Sequence, residues 1–163
     1  MKTFSDLLLL HRGIDDMFFA HQCALLHFEF GTALFLLERY ESALLRHMRD
    51  EEEFLLPLYD KRCPATRAGA AKIFFDDHEK MRAFVKLFKE ETAKLADNPR
   101  PETVLLMLLD REAFYKRLCS HHDRRESETL YPSLDEFTSE AEKRDLLSRV
   151  WCEFDAARTF AAS

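Results

Sequence analysis

The stretch HMRDEEEFLLPLYD, residues 47–60, and the stretch HDRRESETLYPSLD, residues 122–135, place the same residue types at the same spacing. In each stretch a Glu follows a His by four residues, and a Pro follows that Glu by six. The stretches are 75 residues apart, and eight of the 21 positions from 40 to 60 are identical to those from 115 to 135. The chain therefore contains an internal repeat that carries His and Glu.

Apolar residues recur every three or four positions along most of the 163 residues, which is the period of an α-helix. This pattern predicts four long helices, over about 4–26, 29–60, 66–96 and 102–131, followed by a helix over about 139–160. Short connections favour antiparallel neighbours. We therefore predict one all-α domain over residues 1–163, with an up-down-up-down four-helix bundle over about 4–135 and an additional C-terminal helix.

Composition narrows the class of protein. The net charge of −6 does not suggest a nucleic-acid partner, and no run of 18 apolar residues predicts a membrane span. The N-terminal leucine run, flanked by Asp6 and His11, makes a poor signal peptide. The four cysteines are isolated in the sequence and form no CxxC pair, so we expect reduced thiols in a cytoplasmic protein.

The predicted inward faces of the four long helices are apolar except at six positions. These positions are His11, His47, Glu51, His78, His122 and Glu126. Residues four apart in a helix share one face, about 5–6 Å apart, so each repeated His–Glu pair points at one place in the bundle. Four imidazoles and two carboxylates suit two metal ions, each bound by two His, with both Glu bridging and a bridging oxide, hydroxide or water. The positions left open would bind a small diatomic ligand such as O2 or NO, or an anion.

A structural role is the alternative for each of these residues taken singly. One His on an apolar face is usually a hydrogen-bonded core residue, and one buried Glu usually pairs with Arg. Burying two carboxylates and four imidazoles around one axis without a cation would cost several kcal/mol per uncompensated charge. The predicted inward faces offer no Lys or Arg at this level, so the repeat favours the metal site.

Several neighbouring residues are interpreted without a metal-binding role. Tyr40, Tyr115 and Cys119 are expected to pack near the site, with a channel or hydrogen-bonding role as the alternative for the tyrosines. His21, His27 and His121 fall outside the repeat and are expected to be partly exposed, although His21 could approach the inward face. Asp15 and Asp16 are expected on the surface, and the acidic run 50–53 is expected to face solvent apart from Glu51.

The repeated motifs HMRDEEEFLLP and HHDRRESETLYP, completed by His11 and His78, resemble the hemerythrin-like, or HHE cation-binding, domain over about residues 4–135. The resemblance implies a non-haem di-iron centre in a four-helix bundle. By this resemblance the four histidines are terminal ligands, and Glu51 and Glu126 bridge. Arg82 stands where oxygen-carrying hemerythrins have a second His, so the pattern is more similar to bacterial di-iron proteins that repair iron–sulfur clusters.

These observations predict a cytoplasmic di-iron protein that binds O2 or NO and acts in sensing, in stress response and iron–sulfur cluster repair, or in iron handling. A passive metal-binding or storage protein without turnover is the alternative. A helical interaction module with structural His and Glu is the third reading. Nitrogen and oxygen ligands bind Zn more tightly than they bind Fe. The purified protein could therefore contain Zn, or Mn, in place of iron.

Overall fold

The computed structural model describes residues 3–63 and 70–150, and within these ranges it contains helices and turns but no β-strand. The α-helices are α1 (Leu8–Leu26), α2 (Phe30–Asp50), α3 (Leu56–Arg62), α4 (Ala71–Leu95), α5 (Pro101–Arg125), α6 (Tyr131–Phe137) and α7 (Glu140–Arg149). A 3₁₀ turn, Phe4–Leu7, precedes α1, and π-helical turns join α2 to α3 (Glu51–Leu55) and α5 to α6 (Glu126–Leu130). The all-α prediction is confirmed.

Local sequence signals account for two helix starts. Pro101 opens α5, where its fixed φ suits the first turn and its missing N–H leaves no helical hydrogen bond unmade. Ser139 precedes α7, and its hydroxyl accepts from the backbone N–H of Glu142. The Glu142 carboxylate accepts in return from the backbone N–H of Ser139, which completes a capping box.

Three predicted boundaries differ from the structure. The helix predicted from about residue 66 begins at Ala71, because Ala70 has extended backbone angles; residues 64–69 lie outside the described ranges. The helix predicted to end at about residue 131 continues through the π-helical turn and α6. The helix predicted over about 139–160 ends at Arg149, where Val150 is extended, and the predicted apolar residues Trp151 and Phe154 lie outside the described ranges.

Both π-helical turns begin at a repeated Glu. The backbone N–H of Leu56 donates to the carbonyl of Glu51, five residues back, and Tyr131 does the same to Glu126. Each Pro of the repeat comes directly after this hydrogen bond. A Pro has no N–H, and its ring crowds the carbonyl four residues before it. The wider π turn relieves that crowding, which accounts for a Pro at the same place in both repeats.

Each π turn also changes which residues face inward. A regular helical spacing predicts Phe54 and Leu58 inward, but both are only partly buried. Leu55, Leu56 and Tyr59 are buried instead, because the π turn holds one residue more than an α turn. In the second repeat the corresponding buried residues are Leu130, Tyr131 and Leu134.

The long helices place a polar level between two apolar clusters. Helix α1 packs on α2 and α5, and α4 packs on the same two helices. The larger cluster includes Ile14, Leu44, Met81 and Tyr115, and the smaller one lies around Phe74, near the π turns and the start of the chain. The six polar residues of the predicted site lie between these two clusters, on the four long helices and at the start of the two π turns.

Candidate metal centre

The structure brings all six predicted ligands together, and each is at most 8% exposed. They form two groups in which one nitrogen or oxygen from each residue lies within 4.8 Å of the others. The first group is His11, His47, Glu51 and Glu126, and the second is Glu51, His78, His122 and Glu126. We call the place between His11 and His47 the first position, and that between His78 and His122 the second position. Both carboxylates belong to both groups.

The imidazoles of each position converge through their Nε2 atoms. His11 Nε2 lies 2.9 Å from His47 Nε2, and His78 Nε2 lies 3.3 Å from His122 Nε2. Two atoms that bind one metal ion at right angles, each at about 2.1 Å, are separated by about 3 Å. The spacing of each pair therefore fits two ligands of one ion.

The two carboxylates lack the hydrogen bonds that buried carboxylates normally make. Glu51 Oε2 and both oxygens of Glu126 are buried and accept no hydrogen bond of normal geometry. Within the described ranges their charged neighbours are histidines, with His122 Nε2 2.8 Å from Glu126 Oε1 and His78 Nε2 3.4 Å from Glu51 Oε2. Because an unsatisfied buried carboxylate is costly, these oxygens suit a cation as their missing partner.

Carboxylates also approach the outer nitrogen of three histidines. His11 Nδ1 lies 3.1 Å from Asp123, and His122 Nδ1 lies 3.7 Å from Asp77. His78 Nδ1 lies 2.8 Å from Glu52. Metal-binding histidines commonly contact a carboxylate through their second nitrogen, which fixes the ring and its tautomer. Of the three contacts, only that of His78 with Glu52 is a hydrogen bond, since the Nδ1 atoms of His11 and His122 accept or donate none of normal geometry.

The sequence suggested that the acidic run 50–53 faces solvent apart from Glu51. The structure differs. Asp50 is buried, and Glu52 lies between His78 and Arg82. Glu53 alone matches the expectation of an exposed side chain. The prediction was wrong because the packing of α4 against the π turn brings His78 and Arg82 onto the other side of this segment.

The charges of the centre shift its pKa values in opposite directions. Burial lowers the pKa of His47 to about 4. Burial is the largest single influence on His11 and His122 and also lowers their pKa values, but the carboxylates of Glu126, Asp123 and Glu51 together outweigh it and raise both pKa values to about 9. Burial and the charge of Glu51 raise the pKa of Glu126, whereas the surrounding histidines hold the pKa of Glu51 well below its usual value against the effect of burial. The carboxylates therefore repel each other across the centre.

Tyr131 is a site residue that the sequence did not indicate. Its hydroxyl donates to Glu51 Oε1 at 2.6 Å and lies 3.2 Å from His11 Nε2. The repeat could not reveal it, because the residue 75 positions earlier is Leu56. Its position five residues after Glu126, across a π turn, was the available signal.

A small void and a larger cleft adjoin the centre. The void, about 20 Å³, is lined by His11, His47 and His122 together with apolar side chains such as Met81. That volume holds about one water-sized molecule. The cleft, about 390 Å³, opens beside it, and the two share Asp15, Tyr40, Cys119 and Asp123 as lining residues.

The two tyrosines near the centre both pack in the core and line the cleft, so the two roles considered for them are combined. The hydroxyls of Tyr40 and Tyr115 lie 2.5 Å apart and satisfy each other in the core, and both residues also line the cleft. Burial raises the pKa of the Cys119 thiol to about 12. Cys23, Cys63 and Cys119 are free thiols, as expected, and Cys152 lies outside the described ranges. Asp15 and Asp16 are exposed at the cleft.

The remaining histidines divide into two kinds. His27 and His121 are exposed. His21 was expected to be partly exposed, but it is fully buried, and its Nε2 lies 2.9 Å from the buried carboxylate of Glu112. This pair was not predictable, because its members are 91 residues apart and outside the repeat.

Comparisons of the chain with protein-family models, curated proteins and solved structures found no match. Within the described residues, no helix has both the length and the apolar character that crossing a membrane requires. Buried His and Glu groups that could hold metal ions are thus the main functional feature of the structure.

Proposed function

We propose that this chain is a hemerythrin-like protein that holds two metal ions, iron by preference, in an up-down-up-down four-helix bundle with an additional C-terminal helix. The observation that carries the proposal is that Glu51 and Glu126 both belong to both groups of ligand atoms. Each carboxylate is therefore close to the pair of histidines at the first position and to the pair at the second. The contacts of α1 and α4 with α2 and α5 support the bundle arrangement.

The donor set and its surroundings support a metal centre rather than a structural cluster. His11 and His47 would hold one ion, His78 and His122 the other, and Glu51 and Glu126 would bridge the two. Imidazole and carboxylate ligands suit Fe, Zn and Mn, and the resemblance to hemerythrin-like domains favours iron. A bridging oxide or hydroxide stays a prediction. A redox-active pair of ions with open positions would supply binding and electron transfer to a small ligand.

The chain's own groups then serve to hold and shield the centre. Glu52 would fix the His78 imidazole by accepting a hydrogen bond from its Nδ1, and Asp123 and Asp77 lie 3.1 and 3.7 Å from the Nδ1 atoms of His11 and His122. Apolar residues on both sides exclude bulk water. The void of about 20 Å³ beside the histidines supports a ligand as small as O2 or NO. Sensing, iron–sulfur cluster repair and iron handling in the cytoplasm are all compatible with such a centre.

Metal analysis combined with optical spectroscopy tests this proposal. The purified protein should take up two iron ions per chain when ferrous iron is added without oxygen. New visible absorption bands should then appear on exposure to air and, in a separate sample, to NO. Two bound ions without spectral change would favour passive storage, and the absence of bound Fe, Zn or Mn would leave the interaction module.

Thermal unfolding gives a second, independent test. Stripping the ions leaves two repelling carboxylates in a buried centre, so the metal-free protein should melt at a lower temperature than the loaded protein. Equal melting temperatures would mean that the loaded ions bind elsewhere on the chain.

A further inference from the structure

Tyr131 breaks the symmetry of the two halves at the centre. The repeat pairs it with Leu56, which has no polar atom in its side chain. Tyr131 is fully buried, and it is the first residue of α6, directly after the π turn that begins at Glu126. Its hydroxyl crosses to the other repeat, to Glu51 and His11. The first position therefore has an oxygen beside it that the repeat does not supply to the second.

The distances place this oxygen where a ligand atom would lie. Tyr131 Oη is 2.6 Å from Glu51 Oε1 and 3.2 Å from His11 Nε2. Ligand atoms on adjacent positions of one ion, each at about 2.0–2.2 Å, are separated by about 3 Å. Without metal, the hydroxyl donates to Glu51 Oε1 and accepts from His11 Nε2–H. A metal ion bound between His11 Nε2 and His47 Nε2 would replace the proton on His11 Nε2, and the phenol oxygen would then lie beside the ion.

Charge favours the same assignment. Two divalent ions and the carboxylates of Glu51 and Glu126 sum to +2 in a buried place. One phenolate lowers that sum to +1 and removes part of the cost of burying the charge.

We propose that Tyr131 is a further metal ligand, through its phenolate oxygen, to the ion at the first position and not to the ion at the second. This inference rests on the proposed function. On metal binding the O–H bond of the phenol is replaced by an oxygen–metal bond, and the proton passes to the buffer. The two ions then differ, one with two His, two Glu and one Tyr, and the other with two His and two Glu.

Spectroscopy of iron-loaded protein tests the assignment directly. Wild type loaded with ferrous iron without oxygen, and then oxidised with ferricyanide, should show the charge-transfer band of a ferric phenolate and the phenolate ring modes in its resonance Raman spectrum. Tyr131→Phe should lose both signals and bind either two ions or one. Tyr115→Phe is the matched control, because Tyr115 is buried but its hydroxyl contacts Tyr40. The control should keep both signals.

Two outcomes overturn the inference alone. Wild type that binds two ferric ions without phenolate modes would show that Tyr131 is only a hydrogen-bond donor to Glu51. Phenolate modes that persist in Tyr131→Phe would assign them to another tyrosine. If wild type takes up no iron, Zn is added instead and the ultraviolet difference spectrum is recorded, which detects phenolate formation. Bound Zn without phenolate overturns the inference. The absence of any bound ion overturns the proposed function as well.

Discussion

Among the described residues, two buried groups pair a His of α1 with a Glu that lies on α5 or directly after it. In the candidate metal centre His11 faces Glu126, and ten residues further along α1 His21 faces Glu112. His21 and Glu112 are completely buried, as is Glu126. Burial and residue type therefore do not distinguish the two groups.

Hydrogen bonding does distinguish them. His21 Nδ1 donates to the carbonyl of Ala33, and its Nε2 lies 2.9 Å from Glu112 Oε1. The other oxygen of Glu112 accepts from Gln22, whose own amide oxygen accepts from Lys116. Each polar atom of this group thus has a partner within the protein. Three carboxylate oxygens of the candidate metal centre have histidine nitrogens nearby but accept no hydrogen bond of normal geometry, a difference that supports the proposed cation site.

The largest expected effect separates the groups by metal content. Replacing His122 by Ala removes a ligand of the second position, so bound metal should fall from two ions per chain to one or none. His21→Ala should leave metal content unchanged, because its imidazole is bound by Glu112 and Ala33. Elemental analysis of the purified variants measures this.

The adjacent histidine supplies the control for that substitution. His121 is exposed and about 100° around the helix from His122, so His121→Ala should bind metal as wild type does. Loss of metal in His121→Ala with retention in His122→Ala would contradict the proposed ligands on α5 and, with them, the role of Glu126.

The proposed ligands were predictable from the sequence because the repeat and the helical period act together. His47, Glu51, His122 and Glu126 share one offset and one four-residue spacing, and that combination is rare by chance. The all-α fold followed from the same periodicity. The groups around the ligands were not predictable, since contacts such as that of Glu52 with His78 depend on how two helices are rotated against each other.

The π turns set a second limit on what the sequence could reveal. A regular helix places Phe54 inward, but the extra residue in the turn moves Leu55 and Leu56 there instead. The same shift brings Tyr131 into contact with Glu51. Pro57 and Pro132 mark the irregular backbone, but a Pro alone does not state whether a helix ends, kinks or widens.

The second prediction concerns stability at the His21–Glu112 pair. Glu112→Ala leaves His21 buried without its carboxylate, which should lower the free energy of unfolding by about 3–5 kcal/mol. Metal content per folded chain should not change. Chemical denaturation of the variant measures the loss. A loss below about 1 kcal/mol would mean that the pair is solvated rather than buried.

The third prediction uses pH to compare metal-free and loaded protein. The pKa values of His11 and His122 are raised to about 9, so folding favours their protonated forms. That stabilisation is complete below about pH 6.5 and is lost as the pH rises through about 9. The metal-free protein should therefore lose about 2 kcal/mol of stability per histidine, on the order of 4 kcal/mol for both, between pH 7 and pH 9.

Loaded protein should not show this decline, because histidines that bind metal are already neutral. Denaturation curves at several pH values, with and without iron, measure the difference. Parallel pH dependences in the two preparations would contradict binding of the ions by His11 and His122.

The smallest expected effect is a difference in sign between two identical substitutions in metal-free protein. Glu126 is buried, accepts no hydrogen bond of normal geometry and is repelled by Glu51, and burial and this repulsion raise its pKa. At pH 10, where His11 and His122 are neutral and no longer stabilised by the charge of Glu126, this carboxylate destabilises the fold, so Glu126→Gln should stabilise the metal-free protein by about 1 kcal/mol. Glu112→Gln should destabilise it by about 1–2 kcal/mol, because His21 and Gln22 then lose a charged acceptor. In the loaded protein Glu126→Gln should be the more destabilising of the two substitutions, since it also removes a proposed bridging ligand. Two changes of the same sign in metal-free protein would show that the two groups are held in the same way, and the contrast between them would no longer indicate a metal site.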